Sequence, residues 1–317
     1  MLDKLGRNIN YIRVSLTEKC NLRCIYCMPR DMCVEDNKDY LENEDINKVL
    51  KAASILGVKK VRFTGGEPLI VKDIEKIISE TSTLANIDDI AITTNGMLLA
   101  DMAKSLKRSG LKRVNVSLDT LNKDKFKFIT QRGSLDRVEN AINQCLSLNL
   151  ELKINTVLIN GINDDEVEDL IKLTKNLPIT LRFIELMPIG EGEKFYKNGL
   201  ITSAEIIKRY GELKPINSLD KGVAQLYKLP NSIGKVGFIS PISCKFCHNC
   251  NRVRLSCKGL IKPCLHSKDE IDLKPYLNND LGLVSVLRDS IYNKPKEHTL
   301  VSDAESMSKK LMYQIGG

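Results

Sequence analysis

Three cysteines, Cys20, Cys24 and Cys27, stand in the run CNLRCIYCMP with C-x3-C-x2-C spacing. A cubane four-iron cluster ordinarily takes four thiolates, so three leave one iron open to a small-molecule ligand. A structural zinc site would need a fourth Cys or His close by, and the next cysteine, Cys33, lies outside the tight motif. A second run, FISPISCKFCHNCNRVRLSCKGLIKPCL, carries Cys247, Cys250 and Cys264 with Arg252 and Arg254 between them. Those arginines are two residues apart, so on an extended segment both face one way, where rigid guanidinium forks suit a polyphosphate.

Groups like these need a scaffold, and the hydrophobic pattern supplies one. Through about residue 210, short β-rich runs alternate with helical patterns, which is the signature of repeated βα units and a parallel sheet. Strands are expected at 11–16, 60–64, 90–93, 114–118, 152–158 and 181–186. Between them Ile46, Val49, Leu50, Ala53 and Leu56 recur at helical spacing, as do Leu135, Val138, Ala141, Ile142, Cys145 and Leu146. These stripes should cover the sheet, with Cys145 a small core residue rather than a ligand. Six parallel units fit either an open doubly wound sheet or an incomplete barrel, and in both the ligand sits at the C-terminal strand ends. Arg13, the first cysteine run, Gly65-Gly66-Glu67-Pro68, Thr93, Asn95, Ser117 and Arg182 all fall on or just after expected strands. The pairs Asp88-Asp89 and Asp164-Asp165 stand beside expected helix starts, where they read as caps and dipole compensation. After Tyr210 the alternation stops, which divides the chain into a main domain, 1–210, and an extension, 211–317, ending in Gly316 and Gly317.

Composition narrows the function classes. No apolar run in the 317 residues approaches the roughly 18 that suggest a membrane span, and the N-terminus lacks a signal-peptide core. A soluble, cytoplasmic protein is therefore expected, with its ten cysteines serving metal or redox chemistry rather than disulfides. The formal charge of +8 suits an anionic partner, but the basic residues are dispersed and no RNP-like aromatic motif is present, so nucleic acid is not expected.

The first triplet after a strand, with Tyr26 between its last two cysteines and Gly-Gly-Glu-Pro after the next strand, resembles the radical S-adenosylmethionine (SAM) enzymes. LGR near the start, RFTGGEPL, TTNG, VNVSLD, GIND, RFIELMP, the second cysteine run and the terminal Gly-Gly are similar, over nearly the whole chain, to the GTP 3',8-cyclase family. The resemblance implies an α/β fold, an incomplete (βα)6 parallel barrel whose C-terminal extension closes the mouth and binds a second cluster. It implies two [4Fe-4S] clusters, one on Cys20, Cys24 and Cys27 and one on Cys247, Cys250 and Cys264, with SAM on the open iron of the first and guanine on that of the second. Tyr26, Gly66, Ser117 and Met187 would border SAM. Arg13, Arg62, Thr93, Lys153, Arg182, Arg252, Val253 and Arg254 would contact GTP. Arg13, Arg252, Arg254, Gly316 and Gly317 would serve catalysis.

In the implied reaction an electron cleaves SAM to methionine and a 5'-deoxyadenosyl radical, which takes the ribose 3' hydrogen of GTP. The resulting carbon radical attacks guanine C8, giving the cyclised dihydro-GTP at the first step of molybdenum cofactor biosynthesis. An external electron donor would feed the reaction, cyclic pyranopterin monophosphate synthase would receive the product, and a homodimer is allowed. The chain departs from the family at Cys244 and Cys257, which add two thiols around the second triplet, and at Gln314, which precedes Ile315 where an aromatic is usual, with Tyr313 one position earlier. Cys244, Cys247 and Cys250 form an alternative ligand set, and a zinc ribbon could recruit Cys264 or His248. Two other functions remain open. A peptide-modifying radical SAM maturase is disfavoured because no cysteine follows Cys264, and a zinc-stabilised nucleic-acid module because the βα domain carries Gly-Gly-Glu-Pro.

Overall fold

The computed structural model describes residues 1–33, 39–216, 222–298 and 310–314. The main run is β1 (Tyr11–Ser15), α1 (Asn43–Ile55), β2 (Lys60–Thr64), α2 (Ile74–Ser82), β3 (Asp89–Thr94), α3 (Leu99–Arg108), β4 (Arg113–Ser117), α4 (Lys123–Thr130), α5 (Leu135–Ser147), β5 (Glu151–Leu158), α6 (Val167–Asn176) and β6 (Ile179–Glu185). There follow α7 (Glu193–Gly199), α8 (Ser203–Arg209), β7 (Lys214–Pro215), β8 (Gln225–Lys228), β9 (Lys235–Ile239), β10 (Arg252–Leu255), β11 (Leu260–Lys262), β12 (Ile271–Asp272) and α9 (Asp280–Tyr292). All six expected strands form, each within two residues of its expected ends.

These strands alternate strictly in side-chain direction. Ile12, Val14, Val61, Phe63, Ile90, Ile92, Val114, Val116, Ile154 and Leu181 are essentially inaccessible and belong to the core under the helices. Their alternates, Tyr11, Arg13, Arg62, Asn115, Lys153 and Arg182, share the opposite, concave face. The expected stripes do cover the sheet: α1 buries Ile46, Val49, Leu50 and Ala53, and α5 buries Leu135, Val138, Ala141, Ile142 and Cys145. Cys145 is fully buried, the core residue the pattern predicts.

The strand order is β12-β11-β10-β1-β2-β3-β4-β5-β6-β9-β8-β7, an open sheet consistent with an incomplete barrel. From β10 to β9 every neighbouring pair is parallel. The segment after residue 210 therefore does more than lie over the mouth, because β10 pairs with β1 on one side and β9 with β6 on the other. Each pairing covers a strand edge whose N–H and C=O groups would otherwise be open to water or to another chain.

One acidic pair departs from expectation and the other meets it in part. Asp89 lies inside β3 and forms a 2.5 Å ion pair with Arg113 instead of capping a helix. Asp164 and Asp165 do stand in the first turn of the short helix 164–166 that leads into α6, where they oppose its dipole, while Asp164 accepts the Gly161 N–H at 2.7 Å and Asp165 pairs with Lys125 of α4 at 2.5 Å. Among the described residues no helix is long and apolar enough to cross a membrane.

Candidate active site: two adjoining cysteine cavities

The loop after β1 carries Cys20, Cys24 and Cys27, and it rests directly on the end of β2. Gly66 N–H donates to Thr17 O at 2.7 Å and Glu67 N–H to Lys19 O at 2.8 Å. A Cβ at Gly66 would stand 2.0 Å from Lys19 O, and one at Gly65, where φ is +144°, would stand 2.5 Å from Thr17 O. The close approach that requires these glycines is thus first that of the cysteine loop itself. Arg23 fixes the loop from inside, donating to Cys20 O at 2.7 Å, Leu22 O at 2.8 Å and Met32 O at 2.9 Å.

Glu67 joins this platform to the end of β3. Its buried carboxylate accepts from Thr94 Oγ1 and Asn95 N, both at 2.7 Å, and from Leu69 N at 3.0 Å. Burial outweighs these bonds and pushes its carboxyl up to about 7. Asn95 Nδ2 then donates to Asn21 Oδ1 at 2.7 Å and lies 3.7 Å from Cys20 Sγ. Opposite, Tyr26 donates to Asp119 Oδ2 at 2.7 Å while Val157 N–H donates to Oδ1 at 2.8 Å. Burial raises the Asp119 carboxyl to about 6 against both bonds.

The three thiols share a cavity with Tyr26, Gly66, Thr93, Ser117, Asp119 and Met187. All four residues expected on the SAM side line it, and so does Thr93, expected on the GTP side. Burial pushes the Cys27 thiol up to about 12 and raises Cys24 well above its usual range, with the neighbouring thiols and Asp119 adding to the effect. Such a trio ionises only beside a compensating cation, as cluster iron would provide. Among the described residues no three Cys, His, Asp or Glu side chains converge on one metal-sized point.

A second cavity holds Cys247, Cys250 and Cys264 together with Arg13, Arg252, Arg254 and Lys294. Ile184, Met187 and Met312 line both cavities, so the two adjoin. Burial opposes ionisation of Cys250, yet Lys294 and Arg252 overcome it and bring its thiol down to about 6. The Arg252 guanidinium also stacks over Phe246, 5.4 Å from the ring centre. The two spare thiols are elsewhere. Cys244 is exposed, Cys257 is buried beside Tyr40, and neither lines either cavity. His248, the zinc-ribbon candidate, is engaged with Asn249 at 2.9 Å and also stays outside.

Below both cavities the concave face gathers cations around an unforeseen residue, Tyr11. The guanidinium carbons of Arg13 and Arg62 lie 5.9 and 5.4 Å from its ring centre. Burial would raise the Tyr11 phenol, but Arg62, Arg13 and Arg252 together bring it down to about 7. Burial and neighbouring cations lower Arg62 to about 10 and depress Arg182 further. Nε of Arg13, Arg62 and Arg182 is buried with no hydrogen-bond partner among the described residues. Those orphaned donors fit an absent polyanion. Arg182 donates to Asn115 Oδ1, and Lys153 pairs with Glu151 at 2.8 Å. The sequence signal for Tyr11 was available in its position two residues before Arg13, on the same strand face.

The Val253 side chain is 1% exposed and packs into the core, turned away from Arg252 and Arg254, so only its backbone is left to meet a ligand. Gly316 and Gly317 lie outside the described residues, although Met312 and Tyr313 just before them line the first cavity.

Comparison with known proteins agrees with this geometry. Residues 14–174 match the radical SAM superfamily, and residues 179–300 match the family described as Molybdenum Cofactor Synthesis C. A GTP 3',8-cyclase of Clostridium botulinum is 55% identical over 100% of both chains. Those of Clostridium acetobutylicum and Alkaliphilus oremlandii are 54% and 48% identical, again over 100% of each chain. Among solved structures, Streptococcus suis SuiB bound to precursor peptide SuiA superposes with a TM-score of 0.64 at 16% identity, covering 92% of this chain and 66% of that one, a likeness of fold alone. Matched end to end by such relatives, with two cysteine triplets meeting at the mouth of a parallel sheet, the chain belongs to the GTP 3',8-cyclase family of radical SAM enzymes.

Proposed function

We propose that this chain cyclises GTP to (8S)-3',8-cyclo-7,8-dihydroguanosine 5'-triphosphate, the first step of molybdenum cofactor biosynthesis, with SAM and two three-thiolate [4Fe-4S] clusters. The observation that carries this reading is a pair of adjoining cavities with three cysteines each, one bordered by acids and the other by arginines. Cys20, Cys24 and Cys27 hold the first cluster and Cys247, Cys250 and Cys264 the second. When bound, the first cluster supplies the electron that splits SAM, and thereby the radical that removes the ribose 3' hydrogen.

The protein's own part is positioning. Tyr26, Gly66, Ser117 and Met187 border SAM, with Tyr26 held by Asp119. Arg13, Arg252 and Arg254 grip the triphosphate, while Arg62, Lys153 and Arg182 support it from the concave face and Thr93 faces the nucleoside. Substrate relieves the repulsion among these buried cations, which gives binding a charge-specific component. Ile184, Met187 and Met312, the wall common to both cavities, keep water from the space where the radical passes. Gly316 and Gly317 complete the catalytic set from the tail. An external reductant provides the electron, and cyclic pyranopterin monophosphate synthase consumes the product.

The test is anaerobic reconstitution with iron and sulfide, a metal count, then addition of reductant, SAM and GTP. Formation of 5'-deoxyadenosine that depends on GTP, together with a cyclised nucleotide, is expected. Zinc in place of iron, or 5'-deoxyadenosine formed regardless of GTP, would overturn the reading.

A further inference from the structure

The LGR run near the N-terminus places one arginine where the reaction chemistry does not obviously need it. Arg7 is 8% exposed and forms an ion pair of 2.6 Å with the fully buried carboxylate of Asp3. The guanidinium also reaches far across the chain. Nη1 donates to Cys247 O and Lys296 O, both at 3.0 Å, and Nη2 to Pro295 O at 2.8 Å and Lys294 O at 3.2 Å. Nε donates to Asp3 Oδ2 at 2.7 Å. The planar fork thus divides its donors among one carboxylate and four carbonyls, a geometry that a lysine's three donors do not reproduce.

Two of those carbonyls belong to residues of the second cavity. Cys247 is one of its three thiols. Lys294 is a 2% exposed lysine lining the same cavity, and its ammonium donates to Pro263 O, the residue next to Cys264. A continuous hydrogen-bonded path therefore runs from Asp3 through Arg7 to Cys247, and through Lys294 to the neighbour of Cys264. It joins ligands that no local turn holds together. A buried charge is costly unless it is bonded in this way, and here the bonding holds the ammonium in the wall of the cavity that Cys247, Cys250 and Cys264 share.

We propose that Arg7 is a positioning residue for the second cluster, fixing Cys247 and the buried Lys294, and that Lys294 sets the electrostatic environment of that cluster. This rests on the two-cluster reading above. A fixed cation beside a thiolate-bound cluster favours its more negative, reduced form, so Lys294 raises the cluster's reduction potential.

The experiment reconstitutes the full-length wild type, Arg7→Gln, Arg7→Lys and Lys294→Met anaerobically. Iron per chain, paramagnetic resonance of each reduced cluster with and without GTP, and the reduction potentials are then measured. The wild type should hold about eight irons. Arg7→Gln should lose about half of them, with the first cluster's signal and its SAM-bound form retained, and Arg7→Lys should recover only part of the loss. Lys294→Met should keep the second cluster at a lower potential and leave the first unshifted. Full iron content in Arg7→Gln with unaltered second-cluster resonance, or an unchanged potential in Lys294→Met, would overturn the inference while leaving the two-cluster reading standing. A wild type with only about four irons would overturn both.

Discussion

Cys20, Cys24 and Cys27 lie in one short loop, buried against two carboxyl groups, Glu67 and Asp119, whose proton affinities are raised. Cys247, Cys250 and Cys264 come from separate turns on either side of β10 and face Arg252, Arg254 and Lys294. The donor sets are the same, yet one thiol stands apart: Cys27 is driven up to about 12 and burial raises Cys247 as well, whereas Cys250 is brought down to about 6. The number of cysteines alone therefore says little about what such a site is for. The surroundings do: acids beside the first set suit a sulfonium, and guanidinium groups beside the second suit a polyphosphate.

The comparison breaks most visibly by removing one thiol from each set. Cys24→Ser should abolish 5'-deoxyadenosine formation, a loss of at least ~10³-fold, while iron remains at the second site; Cys264→Ser should do the reverse for iron and still permit slow SAM cleavage without cyclisation. Parallel iron loss in both variants would show that the sites are not independent. Next in size are Arg252→Ala and Arg254→Ala, each expected to weaken GTP binding by about 2–5 kcal/mol without altering the first cluster's spectrum. Unchanged GTP affinity in both, by equilibrium dialysis, would remove the electrostatic half of the contrast.

A smaller effect concerns Tyr11, at the foot of the cationic site. Folding lowers its phenol from the usual 10 to about 7, so between those values the folded chain holds fewer protons than the unfolded one. Its contribution to stability is accordingly full above pH 10, declines as pH falls, and is gone below about 7. A near-ultraviolet phenolate titration centred near 7 should disappear in Tyr11→Phe and move upward when GTP adds negative charge. The smallest effect is expected of Cys244→Ser and Cys257→Ala, which should leave iron content and the second cluster's spectrum as in wild type. A change in either would return the spare thiols to the ligand set.

Much of the fold was legible because its signals are local. Period two in YIRVS and KVRFT, and period 3.6 in α1 and α5, need only neighbouring residues to be seen. Both cysteine triplets and the arginine pair were legible for the same reason. The partners that hold them were not, because Glu67 meets Asn95, Tyr26 meets Asp119 and Arg7 meets Lys294 only after the chain has folded. The pairing of β9 and β10 with the main sheet was not legible either, since KVGFI is broken by Gly237 and RVRL is only four residues long. Parity also separates Val253 from its neighbours, because adjacency to two arginines in sequence puts its side chain on the opposite face of the strand.

The pairing of β1 with β10 also constrains how this molecule comes into being. Asn10 and Asn251, which flank that seam and hydrogen-bond at 3.0 Å, are 241 residues apart. On the ribosome, the strand that leads into the first cysteine loop must wait with an open edge until nearly the entire chain has emerged. Contacts of such long range make folding slow and leave partly folded states prone to mispairing. Iron delivered before the seam closes would meet a loop that is anchored on one side only, so assembly of the metal centres has reason to be timed after synthesis.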